Sequence, residues 1–211
     1  MKQIIVFGAN GGTGKEVVQQ ALEKGHKVTA VIRNPAAFDI KHLHLKIIKG
    51  DVFDTTTFKN EIDEKTAVIS CLGSGTTKPT TLYSEGIQNI ISAMKKHDAK
   101  RLICISAGAL YTNKEMGFFI RMLTKLVLQK ILKAVYADMR MMEKIVKKSG
   151  LEWTIIRPPM LKNKVMTGNY RIAVRSHIKR PFSIARADLA HFIINHLNDD
   201  NIYQSIVEIA Y

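Results

Sequence analysis

Short apolar runs alternate along the chain with longer stretches in which apolar residues recur every three or four positions. The runs at Gln3–Phe7, Lys27–Ile32, 43–48, 67–72, 102–106 and 153–157 have the length and β-branched content of buried strands. Residues 12–24, 80–96 and a long region ending at Lys148 follow helical spacing, and a helix at about 186–197 precedes a closing strand at 205–209. Strands separated by helices imply an α/β, doubly wound fold: a mainly parallel sheet with helices on both faces. Connections are short and no Pro/Gly-rich linker interrupts them. Residues 1–211 are therefore read as a single domain, whose part from about 153 onward completes the site at the strand ends.

The first run leads directly into Gly8-Ala9-Asn10-Gly11-Gly12-Thr13-Gly14, which opens the first helix. A glycine pattern alone is generic, but between a strand and a helix it marks a Rossmann-type dinucleotide site, because free backbone N–H groups and the helix dipole attract a pyrophosphate. Gly8 permits the tight turn, Gly11 lets the backbone approach the phosphates, and Gly14 lets helix and strand pack closely. Gly12 belongs to the same turn, and Asn10 and Thr13 can add side-chain hydrogen bonds. An NAD site carries an acid about 20 positions on, at the end of the second strand. Here Arg33 stands there, 19 positions after Gly14. A guanidinium can pair with a 2′-phosphate, which favours NADP(H) over NAD(H); the plain alternative is an exposed surface arginine. After the third strand, Asp51 could accept from an adenine amino group and Val52 could cover the ring, although an Asp at a turn is equally a local cap. After the fourth, Cys71, Leu72 and Gly73 offer small residues along which a cofactor can lie.

In order, GANGGTG, VIRNP, GDVFD, ISCLGSG, ICISAGA and SGLEWTIIRPPML, with TGNYRI and SIARADLAHFI nearer the tail, resemble the atypical short-chain dehydrogenase/reductases over nearly the whole chain. Within them the chain is similar to the NmrA-like and biliverdin reductase B (NADPH-dependent flavin reductase) branch. The resemblance implies NADP(H) across the strand ends, with the nicotinamide near Ser106, Ala107 and the Pro158-Pro159 loop. It implies an NAD(P)H-dependent oxidoreductase passing hydride to a flavin, quinone or similar small conjugated acceptor; the alternative is a weakly catalytic NADP(H) sensor acting through a protein partner. Ser106 is the candidate catalytic residue, able to hydrogen-bond a substrate carbonyl or the carboxamide, and its other reading is a satisfied strand serine. Tyr111, Met160 and Leu161 are assigned to the acceptor pocket. The wider family's YxxxK pair is missing: the nearest match is Tyr136 with Arg140, and the downstream anchor puts the family's Lys position on Met139, so Tyr136 reads as a helix surface or core residue. Met160 also stands where the related reductases carry His, which speaks against biliverdin and leaves a flavin open.

An apolar fraction of 46% and a charged fraction of 24% fit an ordinary globular chain. The charge balance is not ordinary. With 32 Lys and Arg against 18 Asp and Glu, the net charge is +14, which suits phosphate ligands, polyanions or an anionic surface. No recognised nucleic-acid-binding motif accompanies it, so nucleic acid is not an expected partner. From Lys114 to Lys148 there are nine Lys and Arg against three acids, with Phe118, Phe119, Met122, Leu123, Leu126 and Val127 at helical spacing. This basic amphipathic segment has four readings: a packed helix with solvated lysines, a lid over the acceptor, a dimer contact or an anionic-surface contact. The glycines break the first apolar run before a signal sequence would be complete, no run of 18 uncharged apolar residues exists, and Cys71 and Cys104 both fall inside predicted buried strands. A reducing, cytoplasmic setting is expected. His26, His44, His97, His177, His191 and His196 lie apart and neither cysteine joins them at ligand spacing, so no metal is expected.

Overall fold

In β1 (Gln3–Phe7), Ile4 and Val6 enter one apolar core and Ile5 and Phe7 the other, all four buried. The period of two explains the split: a strand with apolar side chains on both sides needs cover on both. The computed structural model describes residues 1–112 and 114–211 without the side chains of Phe119 and Ile120, so the Phe119 of the amphipathic stripe lies outside the described residues. Its further strands are β2 (Lys27–Ile32), β3 (Leu45–Lys49), β4 (Thr66–Ser70), β5 (Arg101–Ile105), β6 (Glu152–Arg157), β7 (Met160–Lys162), β8 (Arg171–Val174), β9 (Ser183–Ala185) and β10 (Ser205–Ala210). The helices are α1 (Gly12–Glu23), α2 (Ser84–Lys96), α3 (Phe118–Leu123), α4 (Gln129–Ile131), α5 (Lys133–Lys147) and α6 (Arg186–Asn195).

The main sheet runs β3-β2-β1-β4-β5-β6-β10-β8, and β7 pairs with β9 beside it. All neighbours in the main sheet are parallel except β10 and β8. From β1 the chain first winds outward through β2 to β3 and then returns to place β4 on β1's other flank. That reversal opens a crevice beyond the carboxyl ends of β1 and β4, where such sheets bind ligands. Helices α1 and α6 cover one face and α2 and α5 the other.

Most predicted elements form, with shifted edges. The second long helix starts at Ser84 rather than 80, because Asp138 of α5 accepts from the N–H groups of Tyr83 (2.8 Å) and Ser84 (3.2 Å) and so caps it from another element. The helical region ending near 148 is broken into a 3-10 turn at Lys114–Met116, α3, a π turn at Thr124–Leu128, α4 and α5. Strands β7, β8 and β9 escaped prediction; each has three or four residues, too few to show a period.

Near the tail, Asp188 in the first turn of α6 is fully buried. It accepts from the backbone N–H groups of Thr167 and Gly168 and from the hydroxyls of Thr167 and Tyr211. Burial alone would raise its pKa, but these hydrogen bonds outweigh burial and hold the carboxyl below its usual value. A depressed folded-state pKa stabilises the fold fully above the unfolded value and loses that contribution as pH falls through the folded one. Asp188→Asn is expected to cost about 1–3 kcal/mol at neutral pH. Urea unfolding should show the gap to wild type narrowing below about pH 4.

Candidate cofactor and active site

Backbone geometry at the end of β1 leaves room for glycine alone. Gly8 has φ +72°, and a Cβ there would stand 2.4 Å from the Cys71 carbonyl oxygen. A Cβ on Gly14 would stand 2.2 Å from the Gly8 carbonyl oxygen, so α1 rests directly on the turn. Gly11 is the N-cap of α1; no side chain caps the helix and no acid lies in its first turn. An uncapped N-terminus with this clearance fits a pyrophosphate.

The turn opens into a cavity of about 840 Å³ at the carboxyl ends of the strands. Gly8, Asn10, Gly11, Gly12 and Thr13 form one wall, while Gly14 lies beneath it, outside the lining. Arg33 and Asn34 stand exposed at the rim beyond β2, beside Asp51 and Val52. Asp51 Oδ1 accepts from the Phe53 N–H (3.0 Å), the local turn that was its alternative reading. Cys71, Leu72 and Gly73 line the cavity just past β4, which ends at Ser70, so Cys71 is not inside a strand as expected. Burial pushes the Cys71 thiol up to about 12, leaving it a neutral packing group. Neither cysteine is paired in a disulfide.

Across the cavity lie Ile105, Ser106, Ala107, Met139, Pro158, Pro159 and Leu161. Two acceptor-pocket assignments are corrected. Met160 is 58% exposed and outside the lining, because in a strand it points opposite to Leu161. Tyr111 is also outside: its ring stacks under the Arg157 guanidinium, 4.4 Å from the ring centre. Ser106 is buried and donates to Glu143 Oε1 at 2.8 Å. With its only proton committed, the hydroxyl is not available to donate to a substrate carbonyl but can accept from a carboxamide N–H. Tyr136 is buried among core residues and burial raises its pKa, so it matches the core reading.

Several contributors were not anticipated, four of them central. Glu143, 1% exposed, accepts from Ser106 and from Arg157 through both Nε (2.9 Å) and an NH2 group, neutralising a charge that burial alone would penalise. Its signal was an acid inside an otherwise basic helical region. Met139 and Tyr83 line the cavity from α5 and the start of α2; the family alignment of Met139 with a Lys position hinted at the first. Arg186, first residue of α6, reaches across the glycine turn: a Cβ on Gly12 would stand 2.8 Å from its Cδ and Nε. Its NH1 donates to Asn163 Oδ1 at 2.6 Å, which fixes the guanidinium at the α1 N-terminus. The SIARADLAHFI motif contained it without showing where it points.

The fold and the glycine turn together are those of a Rossmann-type NAD(P)-binding protein. Residues 8–200 match the NAD(P)H-binding family, and the chain belongs to it. This agrees with the resemblance to atypical short-chain dehydrogenase/reductases. An uncharacterized chloroplastic protein of Arabidopsis thaliana is 29% identical over 99% of this chain and 76% of its own length. An uncharacterized Bacillus subtilis protein is 30% identical over 53% of this chain, which spans only about half (51%) of that relative. Among solved structures, a short-chain dehydrogenase/reductase from Veillonella parvula in complex with NADP superposes with a TM-score of 0.82 at 16% identity, covering 100% of this chain and 94% of that one, which speaks for the fold.

Gly14→Ala forces α1 away from the turn. It is expected to cost about 1–3 kcal/mol of stability and to weaken dinucleotide binding by at least ten-fold, read by thermal melts and fluorescence titration with NADPH.

Proposed function

We propose that this chain is an NADPH-dependent oxidoreductase that passes hydride to a small, flat, conjugated acceptor such as a flavin or quinone. The carrying observation is Arg186. A helix N-terminus bears partial positive charge and repels cations, yet the Arg186 side chain lies on Gly12 there, with no acid in the first turn of α1. A pyrophosphate between the two removes the repulsion and pairs with both. Arg33, at the rim where an NAD site carries an acid, supports a 2′-phosphate and so NADP(H) rather than NAD(H).

When bound, NADPH supplies the hydride; the chain's part is to hold and orient the reacting groups. Ser106 offers an acceptor lone pair to a carboxamide, held in place by Glu143 and Arg157. Ile105, Met139, Leu161 and the two prolines form an apolar platform, and the family resemblance puts the larger family's Lys position on Met139. An acceptor that takes its proton from water suits such a platform. The free thiols of Cys71 and Cys104 support a reducing, cytoplasmic compartment.

Stopped-flow mixing of the NADPH complex with FMN and with soluble quinones should show nicotinamide oxidation well above the buffer rate. Tight binding without such oxidation would overturn the reductase reading and favour a sensor, to which the buried Tyr136 and apolar Met139 also conform. Arg33→Glu is expected to weaken NADP(H) by about 1–3 kcal/mol while leaving NAD(H) unchanged, measured by calorimetry; equal losses for both would remove the 2′-phosphate contact.

A further inference from the structure

Among the described residues, no helix is long and apolar enough to cross a membrane, yet one helical segment exposes apolar and cationic side chains together. Met122, Leu123, Leu126, Val127, Leu128 and Ile131 are between 38% and 60% exposed. Side chains of this kind normally face a core, and a group of this size at one surface marks an interaction site. Two groups tie the segment to the body: Thr124 is buried, and the Gln129 amide donates to the carbonyls of Ala109 and Leu110.

The charge on the same stretch selects the occupant. Between Glu115 and Asp138 the sequence has no carboxylate, while Arg121, Lys125, Lys130 and Lys133 are all exposed. Lys179, Arg180 and Phe182 are also exposed, and the Arg180 N–H bonds to the Glu115 carbonyl at 2.9 Å, which brings that loop beside the start of the segment. A second copy docking here by two-fold symmetry would set one cation-rich patch against another with no carboxylate between them. Nucleic acid would satisfy the cations and leave the apolar groups in water. An anionic bilayer meets both, taking the apolar side chains below its headgroups and the cations among its phosphates.

We propose that residues 118–133 dock the protein flat on an anionic lipid surface. Docking there sets the Ser106–Leu110 loop, to which Gln129 is bonded, near the membrane.

Co-sedimentation with vesicles of phosphatidylcholine containing about 30% phosphatidylglycerol tests this against phosphatidylcholine alone, at low and high salt. Wild type should pellet with the anionic vesicles at low salt, release at high salt, and stay in solution with the neutral ones. Replacing Arg121, Lys125, Lys130 and Lys133 by Gln should weaken binding by about five-fold per cation, and Leu123→Ser/Leu126→Ser/Ile131→Ser should abolish it. An unchanged NADPH-induced thermal shift checks that both variants fold, and the wild-type salt and lipid dependence reads the same property with no substitution. No pelleting with anionic vesicles, equal pelleting with neutral ones, or a charge-stripped variant that binds like wild type would overturn the proposal. So would a dimer lost in the Ser variant without vesicle binding, which would give the face to a second copy. No acceptor is turned over in the assay, so its failure and that of the reductase reading are separate events.

Discussion

Everything at the ligand end of this molecule rests on one steric contact, the seat of Gly14 on the carbonyl of Gly8. Because neither residue has a side chain, the first helix reaches the end of the central strand with its uncapped N–H groups at the rim of the crevice. The sheet order does the rest, since β4 returns to the other flank of β1 and holds the Cys71 carbonyl against Gly8. A methyl group at any of these points would separate layers that are close-packed elsewhere, and packed layers transmit such a shift rather than absorb it.

Two charges shape the site around that contact, and each is placed where it is costly alone. Arg186 at a helix N-terminus calls for an anion, and the crevice is open to one. Glu143 is buried and finds its counter-charge in Arg157, so the charges beside Ser106 are paired within the protein, while those at the glycine turn are not. The separation suits a ligand anionic at one end and nearly neutral at the other. Electrostatics alone thus orients it along the crevice.

The alternation of strands and helices, the glycine turn and Arg33 were legible in the sequence because they are local: each is a run, a spacing or a residue at a strand end. What escaped depends on contacts between distant segments. Nothing near Ser106 announces that its proton goes to Glu143, 37 positions on. Nor does the tail announce that Arg186 returns to Gly12. Met160 and Leu161, adjacent in sequence, were assigned together, but strand geometry sends neighbours to opposite sides and only Leu161 reaches the cavity. The interrupted helical region was read as continuous because a π turn keeps helical spacing approximately while changing the hydrogen-bond register.

Arg186 has a thermodynamic consequence beyond affinity. It begins the α6 helix, which packs on α1, while the turn it covers belongs to the first residues of the chain. A ligand gripped by both would bind only when both are folded, so its mass-action stabilisation would be shared between segments 174 residues apart in sequence, Gly12 and Arg186. Local opening of the α6 region, otherwise a private event with its own free energy, becomes tied to ligand release. Under the proposed grip, amide hydrogen exchange in α6 would be a remote gauge of occupancy at the glycine turn.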